Sequence, residues 1–246
     1  MKINWNYIKG VLLIALVGFL YGFSNHKNND VKVGEIDIEF EKGENLFMNY
    51  QMVNKMLIQN GKPIKNKAKS VIDLHKLESN LLSHPMVENA VIFLTVNGTL
   101  KTKIKQRTPI ARVITNSESY YIDKQATRMP LSGNHSARVI IVSGNIKEEN
   151  NDEIHQLVST ILSDDFLKEQ IIGIEKTPNN EFILETRIGE QKIYIGKIEN
   201  LNKKFKNLRS FYSKTMVDNS IKKYASINLK YNNQVVCTKE LEYGTQ

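Results

Sequence analysis

A chain of 246 residues, 41% hydrophobic and 24% charged, has the length for one large or two small domains and the composition of an ordinary globular protein. Its formal charge of +8 comes from lysines spread along the whole length. The densest run, Lys203-Lys204-Phe205-Lys206, reads as the polar side of an amphipathic helix, which argues against nucleic-acid binding, and Cys237, the only cysteine, excludes an intrachain disulfide and a thiolate metal cluster.

Residues 10–23 (GVLLIALVGFLYGF) carry no charge, and with Trp5, Tyr7 and Ile8 the apolar stretch contains only Lys9. At about 1.5 Å per residue, a helix over residues 5–23 approaches the ~30 Å hydrocarbon thickness of a bilayer. Lys9 can snorkel, and Trp5, Tyr7 and Tyr21 fall at interfacial depth. The segment therefore reads as one transmembrane helix over 8–23, with residues 1–7 cytoplasmic and a polar linker over 24–32 leading to extracytoplasmic domains. The competing reading is a cleaved signal peptide with Gly22-Phe23-Ser24 as its small-x-small site, against which the bulky Tyr21 and Phe23 speak.

Residues 33–40 (VGEIDIEF) alternate apolar and acidic, predicting a half-buried strand with Val33, Ile36, Ile38 and Phe40 inward. Residues 47–59 switch to helical spacing through Met48, Met52, Val53, Met56 and Leu57, and stop before Asn60-Gly61-Lys62-Pro63. The methionines read as core packing. Asp73 suits the N-cap of a second helix with a Leu74, Leu77, Leu81, Leu82 stripe, closed by His84-Pro85. Residues 87–96 and 100–104 then predict a hairpin, with Asn97-Gly98 as a type I′ turn and Lys101, Lys103 and Lys105 outward.

The order β-α-α-β-β, with Leu77-Glu78 and, six residues on, Pro85-Met86-Val87-Glu88-Asn89-Ala90-Val91, resembles a POTRA domain. Gln106-Arg107-Thr108-Pro109-Ile110-Ala111 is similar to the exit phrase of one POTRA-bearing family, the FtsQ/DivIB cell-division proteins.

Beyond Pro109 the chain is richer in strands: residues 110–114 and 119–122 around an Asn116-Ser117 turn, then 138–143, 171–176, 181–187 and 191–195. Residues 152–162 and 201–212 predict amphipathic helices. The chain ends in a hairpin of 224–231 and 234–239 across Asn232-Asn233, whose last strand has no successor to cover it. Tyr120-Tyr121-Ile122-Asp123, with Met129-Pro130-Leu131 after it, resembles the start of the second FtsQ domain. Residues 224–231 (YASINLKY) resemble its terminal strand, with Asn228 and Lys230 in place of the usual Asp and Arg. The resemblance spans the chain and implies an α+β protein. Its parts are a transmembrane helix, a POTRA-like domain over 33–109, a β domain over 110–240 with two helices on a mostly antiparallel sheet, and a tail over 241–246.

Chemistry is sparse. His26, His75, His84, His135 and His155 are dispersed and form no zinc-type spacing, and no Walker loop, dinucleotide fingerprint or nucleophile elbow occurs. Asp123 at a strand end reads as loop-capping before catalytic, and Glu148-Glu149 and Asp164-Asp165 as solvated or capping groups. No catalytic residue, metal ligand or cofactor is expected. The family resemblance implies a division scaffold that binds FtsB- and FtsL-like single-span partners, takes no small-molecule substrate and helps control septal peptidoglycan synthesis. An uncovered terminal strand over 234–238 could supply the binding by strand addition. Lys230, Tyr231, Asn233, Gln234, Val235, Val236 and Cys237 are the candidate contacts, proline at Val236 is the natural block, and Tyr231 packing within the sheet is the plain alternative. In the first domain, residues 33–40 or the Lys101/Lys103/Lys105 face could receive another protein, or the domain could be a spacer. Two other classes remain: a POTRA-bearing assembly or secretion chaperone, which would continue into a barrel of about ten amphipathic strands absent here, and an anchored cell-wall hydrolase.

Overall fold

The apolar run near the N-terminus lies within one helix, α1 (Trp5–Asn29), in a computed structural model that describes residues 5–29, 31–41, 47–59, 61–231 and 233–239. Its Ile8–His26 portion, 19 residues with a mean hydropathy of 1.6 and none of it buried, is long and apolar enough to cross a membrane. Residues 24–29, read above as linker, continue the helix, since nothing between Phe23 and Asn29 is a glycine or proline that would break it. The chain divides into two units, Met1–Gln106 and Arg107–Gln246.

The first unit contains β1 (Glu35–Phe40), α2 (Tyr50–Met56), β2 (Ile58–Gln59), β3 (Lys62–Pro63), α3 (Leu74–Leu82), β4 (Val87–Leu94) and β5 (Thr99–Gln106). β5 is central, parallel to β1 and antiparallel to β4. The alternation of residues 35–40 appears as expected, with Ile36, Ile38 and Phe40 the more buried set.

Helix α2 is shorter than its apolar spacing suggests. The side chain of Asn49 caps it by accepting from Met52 N (2.9 Å), so Phe47 and Met48 lie outside. Their backbone N–H groups instead donate to Oε1 of Gln106, which is 4% exposed, at 3.1 and 3.0 Å. Asp73 caps α3 as expected, through Lys76 N (3.0 Å), while Leu82 is 43% exposed. At 3.6 residues per turn Leu82 sits about 100° around the helix from buried Leu81, off the face that Leu77 and Leu81 share.

The β4–β5 turn is not the expected type I′. Gly98 has a positive φ (84°) but Asn97 does not, and the bonds Gly98 N to Thr95 O and Thr95 N to Thr99 O close a three-residue loop, a type I turn followed by a left-handed glycine. A Cβ on Gly98 would meet Lys32 O at 2.4 Å, because the chain leaving α1 crosses the turn there.

The second unit is built on a nine-stranded sheet of β6 (Pro109–Ile114), β7 (Ser119–Asp123), β8 (Arg128–Pro130), β9 (Ile140–Gly144), β10 (Ile171–Lys176), β11 (Phe182–Thr186), β12 (Lys192–Gly196), β13 (Tyr224–Asn228) and β14 (Val236–Lys239). Its spatial order is β14-β13-β12-β11-β10-β9-β6-β7-β8. Hairpins make most pairings antiparallel. Parallel pairs occur where a longer connection intervenes: the β7–β8 hairpin between β6 and β9, then α4 (Asn151–Leu162) and α5 (Asp165–Gln170) between β9 and β10, and α6 (Leu201–Val217) between β12 and β13. Ile154, Leu157 and Ile161 of α4, Leu167 of α5, and Phe205, Leu208 and Tyr212 of α6 pack with Val113, Val142, Ile174, Leu184, Ile193 and Ile227 of the sheet in one core.

Helix α5 and strand β8 were not foreseen, and α6 runs five residues past its predicted end. The terminal strands are shorter than predicted: β13 ends at Asn228 and β14 begins at Val236.

Replacing Gln106 with leucine strands the buried N–H groups of Phe47 and Met48. It should lower stability by about 2–4 kcal/mol in urea titration, where an exposed substitution costs about 0.5 or less. A second expectation concerns pH. Burial holds the His84 imidazole below its usual range, and its Nδ1 accepts from Met86 N (3.2 Å), so the folded state prefers the neutral ring. The unfolded chain therefore protonates first. His84's contribution is full above its ordinary value of 6.5 and is lost as pH falls through the lower folded value. Melting between about pH 7.5 and 5.5 should show a steeper loss in the wild type than in His84→Gln.

Candidate functional site

The second sheet has two edges, and they are finished differently. At one, β8 is three residues long and ends in Pro130, which lacks an N–H, while Arg128 is clamped on Glu118 through Nη1 and Nη2. At the other, β14 has four residues, none a proline, and pairs only with β13 among the described residues. Among the described residues that second edge is open.

Backbone alternation decides which groups of β14 face outward. Leu229 N donates to Tyr194 O (2.8 Å), and Tyr194 is the register partner of Asn228 in the parallel β12–β13 ladder, so Asn228 turns its own N–H and C=O toward β14. Asn228 faces Val236 and Ser226 faces Thr238, which directs the backbone groups of Val236 and Thr238 inward to β13. Those of Cys237 and Lys239 point to the open side. A proline at Val236 would thus strike the fold, not the edge, and the expected block moves to Cys237.

The candidate contact residues divide accordingly. Val236 and Cys237 lie in β14, while Gln234 and Val235 precede the strand instead of opening it. Val235 and Cys237 pack partly against the core, and burial pushes the Cys237 thiol up. Asn233 (φ 63°) and Gln234 are exposed in the turn, whose Asn232 lies outside the described residues. Tyr231 is 52% exposed and outside any strand, which removes the alternative that it packs in the sheet. Lys230 Nζ pairs with Glu181 Oε2 (3.0 Å), and Asn228 Oδ1 accepts from Lys230 N (2.9 Å). Asn228 and Lys230 therefore keep local polar contacts in spite of their departure from the family pair. On the sheet face away from the core, register aligns Ile183, Tyr194, Asn228 and Val236 in one row running to the open edge. Glu181 and Tyr194 escaped the sequence reading because the register that brings them beside β13 has no local signature.

Other reactive-looking groups have structural employment. Asp123 is fully buried; its Oδ1 accepts from Gln125 N (2.9 Å) and Thr127 N (2.7 Å), and its Oδ2 takes Arg107 Nη1 (2.7 Å). It shapes the β7–β8 turn. Asp164 caps α5 through Phe166 N and Leu167 N and pairs with Arg209. Lys176, 2% exposed, holds Glu153 (2.9 Å) and lies over the Phe182 ring, on the wall of an open cleft of about 530 Å³ whose mixed lining includes Lys147, Glu149, Lys197 and Glu199. Among the described residues no group of three or more His, Cys, Asp or Glu could hold a metal.

In the first unit the Lys101/Lys103/Lys105 face is neutralised. Lys101 meets Asp37 (3.4 Å), Lys103 meets Glu39 (3.7 Å), and Lys105 meets Glu88 (2.5 Å), whose hydrogen bond and charge hold the Lys105 ammonium above its usual range.

A family model described as FtsQ/DivIB, C-terminal related, matches residues 108–238, more than half of the chain, and a POTRA-like domain model matches residues 32–105. A search of curated proteins found no match.

Asp123→Asn should cost about 2–4 kcal/mol of stability in chemical denaturation, because it leaves the Arg107 guanidinium poorly compensated. Adding Arg107→Met should recover part of that loss, a coupling that independent sites would not show.

Proposed function

The chain belongs to the FtsQ/DivIB family of cell-division proteins, and on that premise we propose that it is a non-enzymatic scaffold of the division machinery that binds FtsB- and FtsL-like partners by strand addition along β14. In this reading α1 anchors the chain with its N-terminus cytoplasmic and both folded units outside, at the septum, where partner binding helps control septal peptidoglycan synthesis. A helix of the right length and apolarity supports the anchor.

The observation that carries the proposal is the open β14 edge, with the outward backbone groups of Cys237 and Lys239. An extended partner segment gains main-chain bonds there, and side chains give it register. Tyr231 and Val236, 52% and 41% exposed, offer apolar surface next to that edge, and Tyr194 extends it along the sheet. The buried ionic groups are already paired, which fits a binding protein better than acid–base catalysis.

Proline at Cys237 removes one outward N–H and leaves the inward bonds of Val236 and Thr238 intact. Binding of the extracytoplasmic segment of the FtsB-like partner should weaken about tenfold, the equivalent of one main-chain bond and its neighbours, with the melting transition little changed. Cys237→Ser, which keeps the N–H, should bind as the wild type does. A folded Cys237→Pro chain with undiminished partner affinity rules out strand addition at this edge.

A further inference from the structure

Residues 51–72 contain Lys55, Lys62, Lys65, Lys67 and Lys69 and no aspartate or glutamate, a local charge of +5. On the β5 face of the first unit, Lys101, Lys103 and Lys105 sit against acids. Lys62, on β3, and Lys65, just after it, are exposed and make no ion pair among the described residues.

The same loop is stapled to the end of α1. Lys69 Nζ donates to Asn28 Oδ1 (3.0 Å), in the helix's last turn. Lys69 N donates to Val31 O (2.9 Å), Val33 N to Lys67 O (2.9 Å) and Asn66 N to Val33 O (2.8 Å), and Lys32 forms a β-bridge with Ala68. Lys67 Nζ closes the loop on Gln59 O (3.1 Å). The apolar span of α1 ends at His26, so Asn28 lies only about 3 Å further along the helix axis. A loop fastened at Asn28 is held at headgroup depth whenever α1 crosses a bilayer.

We propose that Lys62 and Lys65 bind the anionic phospholipid headgroups of the bilayer that α1 crosses, with Lys67 and Lys69 as the tether that holds them there. Ammonium groups fit phosphodiester oxygens as point charges, and each lysine close to an anionic leaflet favours the bound state about fivefold, within reach of screening by salt. The contact would seat the first unit on the membrane instead of leaving it to swing from α1. The inference rests on the reading of α1 as an anchor.

The test uses the full chain in nanodiscs of zwitterionic lipid alone and with added phosphatidylglycerol. Two readouts apply: amine acetylation of Lys62 and Lys65, and backbone hydrogen exchange over residues 61–69. Anionic discs should slow both about three- to tenfold, with high salt reversing the effect and Lys203, on α6, unaffected. In Lys62→Gln/Lys65→Gln the lipid dependence of exchange should vanish while exchange in α3 stays as in the wild type. Equal rates in the two kinds of disc overturn the proposal and leave the anchor standing. Slowing by inorganic phosphate in zwitterionic discs overturns it in favour of a soluble-anion site. Failure of the chain to enter either disc overturns the anchor and the proposal together.

Discussion

The parallel ladder between β12 and β13 decides what the last strand can do. It joins only three residue pairs, Lys192 to Ser226, Ile193 to Ile227 and Tyr194 to Asn228, with Leu229 N adding a bond to Tyr194 O. Ile227 and Leu229 are buried, so a slip by one residue would drive both toward solvent and turn every backbone group of β13 the other way. The outward aim of Cys237 follows from that register and not from anything in β14. The ladder in turn needs α6: a parallel neighbour is reached only by a crossover, and Phe205, Leu208 and Tyr212 fasten that crossover to the core. Packing of one helix thereby sets the orientation of amides on a strand that follows it by almost twenty residues.

Charge is distributed on a similar logic. Where a charge is buried, it has an immediate partner, as Asp123 has Arg107 and Lys176 has Glu153, because an uncompensated ion in the interior costs several kcal/mol. Such groups are committed to holding turns and helix ends. The exposed lysines of the β5 face are matched across the strands by acids of β1 and β4. Against that background the unmatched lysines of residues 61–69 stand apart, and an even spread of lysine along the sequence conceals them. What separates the segment from the β5 face is that no acid lies opposite Lys62 and Lys65 among the described residues, which a count of basic residues does not register.

Much of the fold was legible where a residue's role is local. Asp73 caps α3, the alternation of residues 35–40 appears in β1, and the heptad-like spacing of Ile154, Leu157 and Ile161 forms the buried face of α4. The failures are also local, but they turn on partners far away in sequence. Phe47 and Met48 have helical spacing, yet Gln106, nearly sixty residues later, takes their N–H groups and delays α2. Asn97-Gly98 carries the signature of one turn and adopts another, with only Gly98 left-handed and the Lys32 carbonyl packed where a Cβ would be. Helix α5, at six residues, is too short to show a period, although its capping Asp164 was in view. At the candidate site, the sequence located the terminal hairpin but could not say which amides face outward, since that depends on the β12–β13 register. Nor could it place Tyr194 in the row that runs to the edge, or Glu181 against Lys230.

An open strand edge is ordinarily a hazard, because any extended segment can pair with it, another copy of the chain included. Several features limit that risk here. Strand β14 is short, it ends in Lys239, and a register irregularity between Tyr224 and Ser226 interrupts the flat run of its neighbour. Among the described residues, β14 offers a second copy the outward backbone groups of Cys237 and Lys239. A partner that also covers Tyr231, Val236 and Tyr194 gains apolar burial that a second copy of β14 cannot offer. Specificity at such an edge therefore resides in the side chains beside the strand, and the backbone bonds that any peptide could make supply the remainder of the affinity.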